Sequence, residues 1–255
     1  MLLKDKKVAI FGLANNKSIA YGIADAFRAH GARMAFSYVG DSIKKRVEPI
    51  CEEMGGDFIF PCDVTSTEQI EAAAQTVKEQ WGNVDVLVHS VAFANRDDLT
   101  NRFIETSREG FALALDVSAF SLVALCKAFE PLLKPGASVL TMTYYGSQKA
   151  IPHYNVMGVA KAALEASVRY LAVDLGEKGV RINAISAGPI KTLAASAVGD
   201  FKSRLSHFEE FVPLKRMVTI QDVGGAALYL ASDLSAAVTG EVTFVDCGFN
   251  MKGAS

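Results

Sequence analysis

The chain has 255 residues, 50% hydrophobic and 21% charged, with a formal net charge of −2. That is enough apolar material for the core of one large α/β domain, and the near-neutral balance gives no reason to expect a nucleic-acid or other polyanion-binding surface. Cys51, Cys62, Cys126 and Cys247 form no Cys-x-x-Cys pair, and His30, His89, His153 and His207 have no metal-ligand spacing, so the expectation is reduced, buried thiols and no metal site.

The chain opens Met-Leu-Leu-Lys-Asp-Lys-Lys and passes straight into a first strand, Lys7 to Gly12. It lacks the apolar segment of a signal peptide, and no uninterrupted run of about 18 apolar residues is present. A cytoplasmic chain without a membrane span is therefore expected. Ser18 to His30 reads as a helix closed by Gly31. Strands at Arg33 to Tyr38 and Asp57 to Pro61 flank a helix at Asp41 to Met54. Thr65 to Trp81 is a helix with a Thr or Ser cap, and Val84 to Ser90 a nearly all-apolar strand, as buried parallel strands are. A long helical region follows to Glu130, broken before Pro131. Ala137 to Thr143 is the fifth strand, Val159 to Glu177 an Ala- and Leu-rich helix, and Val180 to Ser186 and Gly240 to Asp246 the last two strands. This βα alternation predicts a Rossmann-like, doubly wound, seven-stranded parallel sheet with helices on both faces, one domain over residues 1–255.

Two places carry candidate chemistry. The first turn, Gly12-x5-Ser18-Ile19-Ala20-x-Gly22, is not the usual G-x-G-x-x-G. Gly12 permits a sharp strand exit, backbone N–H groups at Ser18 and Ile19 can face a pyrophosphate, and small Ala20 and Gly22 allow helix and strand to pack closely. Glycine-rich βα turns also occur simply as turns. Asp63-Val64, after strand three, can accept from an adenine amino group or cap the next helix. No Arg or Lys occupies positions 38–40, where a 2′-phosphate would need a cation, which favours NADH over NADPH, although no acid is present there to hold the ribose 2′-hydroxyl.

The second place is Tyr144 to Lys161. Tyr144 falls at the carboxyl end of strand five, with Tyr154 and Lys161 on or just ahead of the following helix. Seven helical residues return to within about 20° of the same direction, so phenol and ammonium would face one cleft. That pairs a proton donor with a cation able to lower its pKa. A Tyr/Lys pair by itself is more often two core or rim tyrosines and a solvated lysine. Leu193 to Glu210 reads either as a surface helix or as a functional insertion.

Strand four ends His89-Ser-Val-Ala-Phe-Ala94, Met157 lies four before Lys161, and the spacing of interest is Tyr154-x6-Lys161. These features, with Ile151-Pro-His-Tyr-Asn-Val-Met-Gly158 and Ser186-Ala-Gly-Pro-Ile-Lys-Thr-Leu-Ala-Ala195, resemble a divergent branch of the short-chain dehydrogenase/reductases, the bacterial NADH-dependent enoyl-[acyl-carrier-protein] reductases. The similarity spans essentially the whole chain. It implies reduction of trans-2-enoyl thioesters in type II fatty acid synthesis. Tyr144 (in Tyr-x-Gly146), Tyr154 and Lys161 would be catalytic, and Ala94, Tyr144 and Tyr154 would meet substrate. The cofactor contacts would be Gly12, Ser18, Ile19, Val39, Asp63, Val64, Val91, Lys161, Ile190, Lys191, Thr192, Leu193 and Ala194. Tyr145 would be structural. A lid around 192–210 would turn Phe201, Leu205 and Phe208 toward the acyl tail and Lys202 and Arg204 toward the acidic carrier protein. The resemblance also implies a homotetramer. Alternative readings are a short-chain carbonyl/alcohol oxidoreductase, disfavoured because its Tyr-x3-Lys pair and preceding Ser are replaced, and a non-catalytic dinucleotide-binding sensor.

Overall fold

The computed structural model describes residues 1–190 and 208–252. Strands β1 (Lys7–Phe11), β2 (Arg33–Tyr38), β3 (Phe58–Pro61), β4 (Val84–His89), β5 (Leu133–Thr143), β6 (Arg181–Ala187) and β7 (Val242–Val245) form one sheet in the order β3-β2-β1-β4-β5-β6-β7. Every pairing is parallel. Strand order reverses between β1 and β4, the place where a doubly wound sheet opens a crevice beyond its carboxyl ends.

The apolar strands are explained by what covers them. Alternate residues of β1 point to opposite faces: Val8 and Ile10 join a core with α1 (Ile19–Ala29), α2 (Gly40–Glu53) and the helix Ile220–Ala231, while Ala9 and Phe11 join a second core under α3 (Thr67–Trp81). That second core also contains the inner faces of α6 (Ser121–Phe129) and α7 (Asn155–Gly176). Every residue of β4 and β6 is buried.

Three boundaries differ from expectation. β5 begins at Leu133 and continues through Pro135 and Gly136, and its pairing with β4 shifts register between Val84 and Val86. Proline lacks the N–H that a regular ladder needs, so the strand accommodates it with an irregularity. α7 begins at Asn155, four residues early, which makes Tyr154 its N-cap. The long helical region divides into α4 (Arg96–Thr100), α5 (Arg108–Leu115), a π turn over Asp116–Phe120, and α6. The helical stretch Arg108–Leu132 is apolar and long enough, by composition alone, to cross a bilayer, with mean hydropathy 1.8, although charged residues interrupt it. Its inner residues, including Ala114, Leu122, Leu125 and Phe129, are packed into the protein core.

Gly22 also does something other than expected. A Cβ there would lie 2.2 Å from the Ile220 carbonyl oxygen, and one on Gly224 would lie 2.4 Å from the Gly22 oxygen. The small residue thus serves a helix–helix contact between α1 and Ile220–Ala231 (α8), not packing on a strand. α8 is capped reciprocally: Thr219 Oγ1 accepts from the Asp222 N–H, Asp222 Oδ2 accepts from the Thr219 N–H, and Arg216 grips both carboxylate oxygens at 2.6 and 2.9 Å.

Candidate active site

At the first βα turn Gly12 adopts φ +96°, and any Cβ would fall 2.1 Å from the Ser90 carbonyl oxygen. Glycine is needed both for the backbone angle and for the approach of β4. The Ser18 hydroxyl accepts from the Ala14 and Asn15 N–H groups at 3.2 and 3.1 Å and makes no side-chain cap on α1. The Ser18 N–H, expected to face a pyrophosphate, instead donates to the Asn15 carbonyl at 3.1 Å, and the Tyr21 N–H donates to the Ser18 carbonyl at 3.0 Å, so the start of α1 offers the N–H groups of Ile19 and Ala20 to an anion. Ile19 is partly buried against the core behind the turn. A cleft of about 300 Å³ opens beside it, lined by Asn16, Lys17, Ile190, Met217, Val218 and Ile220. Ile190 was expected here; Met217, Val218 and Ile220 come from some two hundred residues away and carry no local signal.

The adenosine side is mixed. Asp63 does not cap α3. Ser66 does, accepting from the Gln69 N–H, while Asp63 Oδ1 accepts from the Thr65 N–H and hydroxyl at 3.0 and 2.7 Å. Val64 and Val91 pack partly buried against the core beneath the sheet's carboxyl edge. Val39 is exposed at the start of α2. Lys44, read in the sequence only as lying on the next helix, holds its ammonium 5.8 Å from the Tyr38 ring centroid. One cation therefore reaches back toward the end of β2, because position 44 is one turn into α2 and long side chains lean toward the helix N-terminus.

The two tyrosines meet. The rings of Tyr144 and Tyr154 are edge-to-face, with centroids 4.9 Å apart at 74°. Gly146 makes this possible, since a Cβ there would lie 2.4 Å from Tyr154 Cδ1. Gly158 on α7 lies under the same turn, where a Cβ would be 2.7 Å from the Gly146 oxygen. His153 and Asn155, on either side of Tyr154, both have positive φ, 57° and 37°, and the Asn155 side chain donates to the Leu99 and Asn101 carbonyls at 3.0 and 2.7 Å. Strained backbone fixed by such bonds is common where a side chain must be held in place. Tyr145, structural by the resemblance, stacks edge-on against Phe249 and Phe244.

Lys161 is 5% exposed, and its Nζ donates to the Met142 carbonyl at 2.8 Å. Burial lowers its pKa to about 8, opposed by the charge of Glu165. Tyr154 responds in the direction opposite to that expected: burial, then Tyr144 and Glu165, push its phenol well above the ordinary value. The ammonium points at Met142 and does not offset that burial, so Tyr154 keeps its proton at neutral pH. Behind them His89 is fully buried between Thr141 Oγ1 and Ser121 Oγ, each at 2.8 Å, and burial followed by Lys161 holds its pKa down at about 3. The Ser121 hydroxyl also bonds the Val117 carbonyl at 2.7 Å across the π turn. Ser121 donates that bond, so the His89 Nε2–H donates to Ser121 and Nδ1 accepts from Thr141.

Ala94 and Tyr154 share one small apolar cluster with Leu99, Ala114, Val156 and Met157. Met157, where standard short-chain reductases carry the catalytic tyrosine, is buried there and offers no proton. Lys191, Thr192, Leu193 and Ala194, and from the expected lid Phe201, Lys202, Arg204 and Leu205, lie outside the described residues. Phe208 is 7% exposed and packs 5.2 Å from the Phe249 ring. It belongs to the core with Val212 and Val218, and is not turned outward as expected. Among the described residues no cluster of His, Cys, Asp and Glu can hold a metal ion.

Residues 12–250 match the family model described as enoyl-(acyl carrier protein) reductase. The chain is 53% identical to "Enoyl-[acyl-carrier-protein] reductase [NADH] 1" of Rhizobium meliloti, over 99% of this chain and 93% of that one. It superposes with a TM-score of 0.97 on the Bacillus cereus enoyl-acyl carrier protein reductase crystallised with NADP+ and an indole naphthyridinone, at 46% identity over 99% of both chains. It superposes at 0.95 on the Anaplasma phagocytophilum enoyl-(acyl-carrier-protein) reductase in complex with NAD, at 46% identity over 100% of this chain and 95% of that one. The chain belongs to the enoyl-(acyl carrier protein) reductase family.

Proposed function

We propose that this protein reduces the carbon–carbon double bond of trans-2-enoyl thioesters carried on acyl carrier protein, using NADH, in type II fatty acid synthesis. The observation that carries the reading is the convergence of Tyr144, Tyr154 and Lys161 at the carboxyl end of β5. When bound, the reduced nicotinamide supplies hydride. Gly12, Ser18 and Ile19 would hold its pyrophosphate, with Val39, Asp63, Val64 and Val91 toward the adenosine and Lys161 and residues 190–194 toward the nicotinamide. Tyr154, protonated at neutral pH, donates a hydrogen bond to the thioester carbonyl and stabilises the enolate oxygen as charge develops there. Tyr144 stacks on that ring and fixes its direction. Lys161, charged below about pH 8, binds ribose hydroxyls and adds positive potential to the pocket. Ala94 belongs to the substrate side.

NADH as the preferred donor is supported by the Rhizobium relative's name and by the absence of a cation at positions 38–40. The carrier-protein partner, a cytoplasmic location and a homotetramer belong to the same proposal. Self-association is supported by Phe120, Tyr170 and Val173, large apolar side chains left exposed on the outer surfaces of the π turn and α7; light scattering of the purified protein measures it. Of the residues proposed for the lid around 192–210, those other than the core residue Phe208 would meet acyl chain and carrier protein. Reversing charge at Lys202 and Arg204 is expected to raise KM for carrier-bound substrate only.

The activity test is loss of reduced-nicotinamide absorbance with crotonyl thioester, run with NADH and NADPH. Enoyl-dependent oxidation faster with NADH is expected. Tyr154→Phe should lose turnover and retain NADH binding. No oxidation on small or carrier-bound enoyl substrates would refute the reading.

A further inference from the structure

One buried charge beside the tyrosines has no part in the chemistry above. Glu165 is 7% exposed and lies one turn beyond Lys161 on α7. A carboxylate in an apolar interior is costly unless hydrogen-bonded. Glu165 meets that cost in part at one oxygen, Oε1, which accepts from Thr143 Oγ1 at 2.7 Å and from Ser147 Oγ at 2.6 Å. Thr143 is the last residue of β5, and Ser147 ends the 3-10 turn Tyr145–Ser147. The two donors therefore bracket Tyr144, and the carboxylate ties the turn carrying Tyr144 to the helix carrying Lys161. Gly146, inside the tethered turn, touches the Tyr154 ring.

We propose that Glu165 is a positioning residue for the reduction, holding Tyr144 and Gly146 against Tyr154 through Thr143 and Ser147 while placing an anion one turn along α7 from Lys161. The proposal rests on Tyr144, Tyr154 and Lys161 being the reacting group of side chains. Among the described residues, Glu165 from α7 and His89 from β4 act electrostatically on the ammonium, and Tyr154 lies in the field of the same Glu165. His89 is held neutral between two hydroxyls, and Tyr154 keeps its proton. Among the described residues it is Glu165 that opposes the burial of Lys161. Its loss must move deprotonation of the lysine to lower pH.

Three variants separate tether from charge. Glu165→Gln keeps an acceptor oxygen and removes the charge. Its alkaline limb in kcat/KM for NADH, which reports the free enzyme, is expected to move down by about one pH unit. Ser147→Ala removes half the tether and leaves the charge. It is expected to lower kcat roughly tenfold, as small misplacements of reacting groups do, with KM for NADH and the alkaline limb unchanged. Glu165→Leu should show the kcat loss of the second variant in full; if it does not fold, the other two still decide. Wild-type kcat in Ser147→Ala, or an unmoved alkaline limb in Glu165→Gln, overturns the proposal. Tyr154→Phe and Lys161→Ala run alongside: if these also turn over normally, the reading of the site has failed, and if they alone lose activity, only the role of Glu165 has.

Discussion

Lys161→Met tests how much the buried ammonium costs the fold. Burial brings its pKa from 10.5 to about 8, and at 1.36 kcal/mol per unit the penalty on the charged form is about 3 kcal/mol. Below about pH 8 both folded and unfolded chains hold the proton, so the whole penalty weakens the wild type. Between about 8 and 10.5 the folded chain releases it first, the unfolded chain binds more protons, and stability rises with pH. Above the unfolded value the penalty is gone. Methionine has similar volume and no charge, but it leaves the Met142 carbonyl without its donor, a loss of about 1–3 kcal/mol. Near pH 7 the variant should therefore match or exceed the wild type in stability. Toward pH 10.5 the wild type should gain on it by about 3 kcal/mol. Urea unfolding of both proteins without cofactor, at equal concentration and at several pH values, measures the gap. A gap that does not move with pH, or moves the other way, refutes the claim that Lys161 is held charged at a cost.

Three further outcomes follow from local geometry. Gly146→Ala drives a methyl group into the Tyr154 ring, 2.4 Å away, and should cut kcat with crotonyl thioester by roughly a hundredfold while fluorescence titration shows NADH still binding. Gly12→Ala meets both φ +96° and the Ser90 oxygen, so thermal unfolding should show a loss of about 1–3 kcal/mol or more together with weakened NADH binding. Asp222→Asn removes the charge that Arg216 grips at the start of α8. The hydrogen bond from Arg216 lowers the Asp222 pKa to about 2, so its contribution, about 1 kcal/mol, is present above the ordinary carboxylate value near 3.8. It is lost as pH falls through about 2, and urea midpoints of the two proteins should converge over that range.

The strands and the first turn were legible because their causes are local. A strand covered on both faces must be apolar throughout, as Val84–His89 is, and a chain that leaves β1 beneath the Ser90 carbonyl must do so at glycine. The positions of Tyr144, Tyr154 and Lys161 were likewise set by their spacing across one strand and one helix. The start of α7 is not legible locally, because Tyr154 and Asn155 are poor helix formers and Asn155 is held by carbonyls at positions 99 and 101, more than fifty residues earlier. The sign of the Tyr154 shift was also beyond the sequence. Spacing puts Lys161 on the same side, but only the folded chain turns its ammonium to Met142 and surrounds the phenol with protein. The remaining decisions belong to side chains that meet across elements: His89 between Thr141 and Ser121, Met217 to Ile220 beside Asn16 and Lys17, and Glu165 between Thr143 and Ser147. Periodicity records which face of an element is buried. It does not record which buried polar group another element will bring opposite, and that pairing is decided only when the helices close on the sheet.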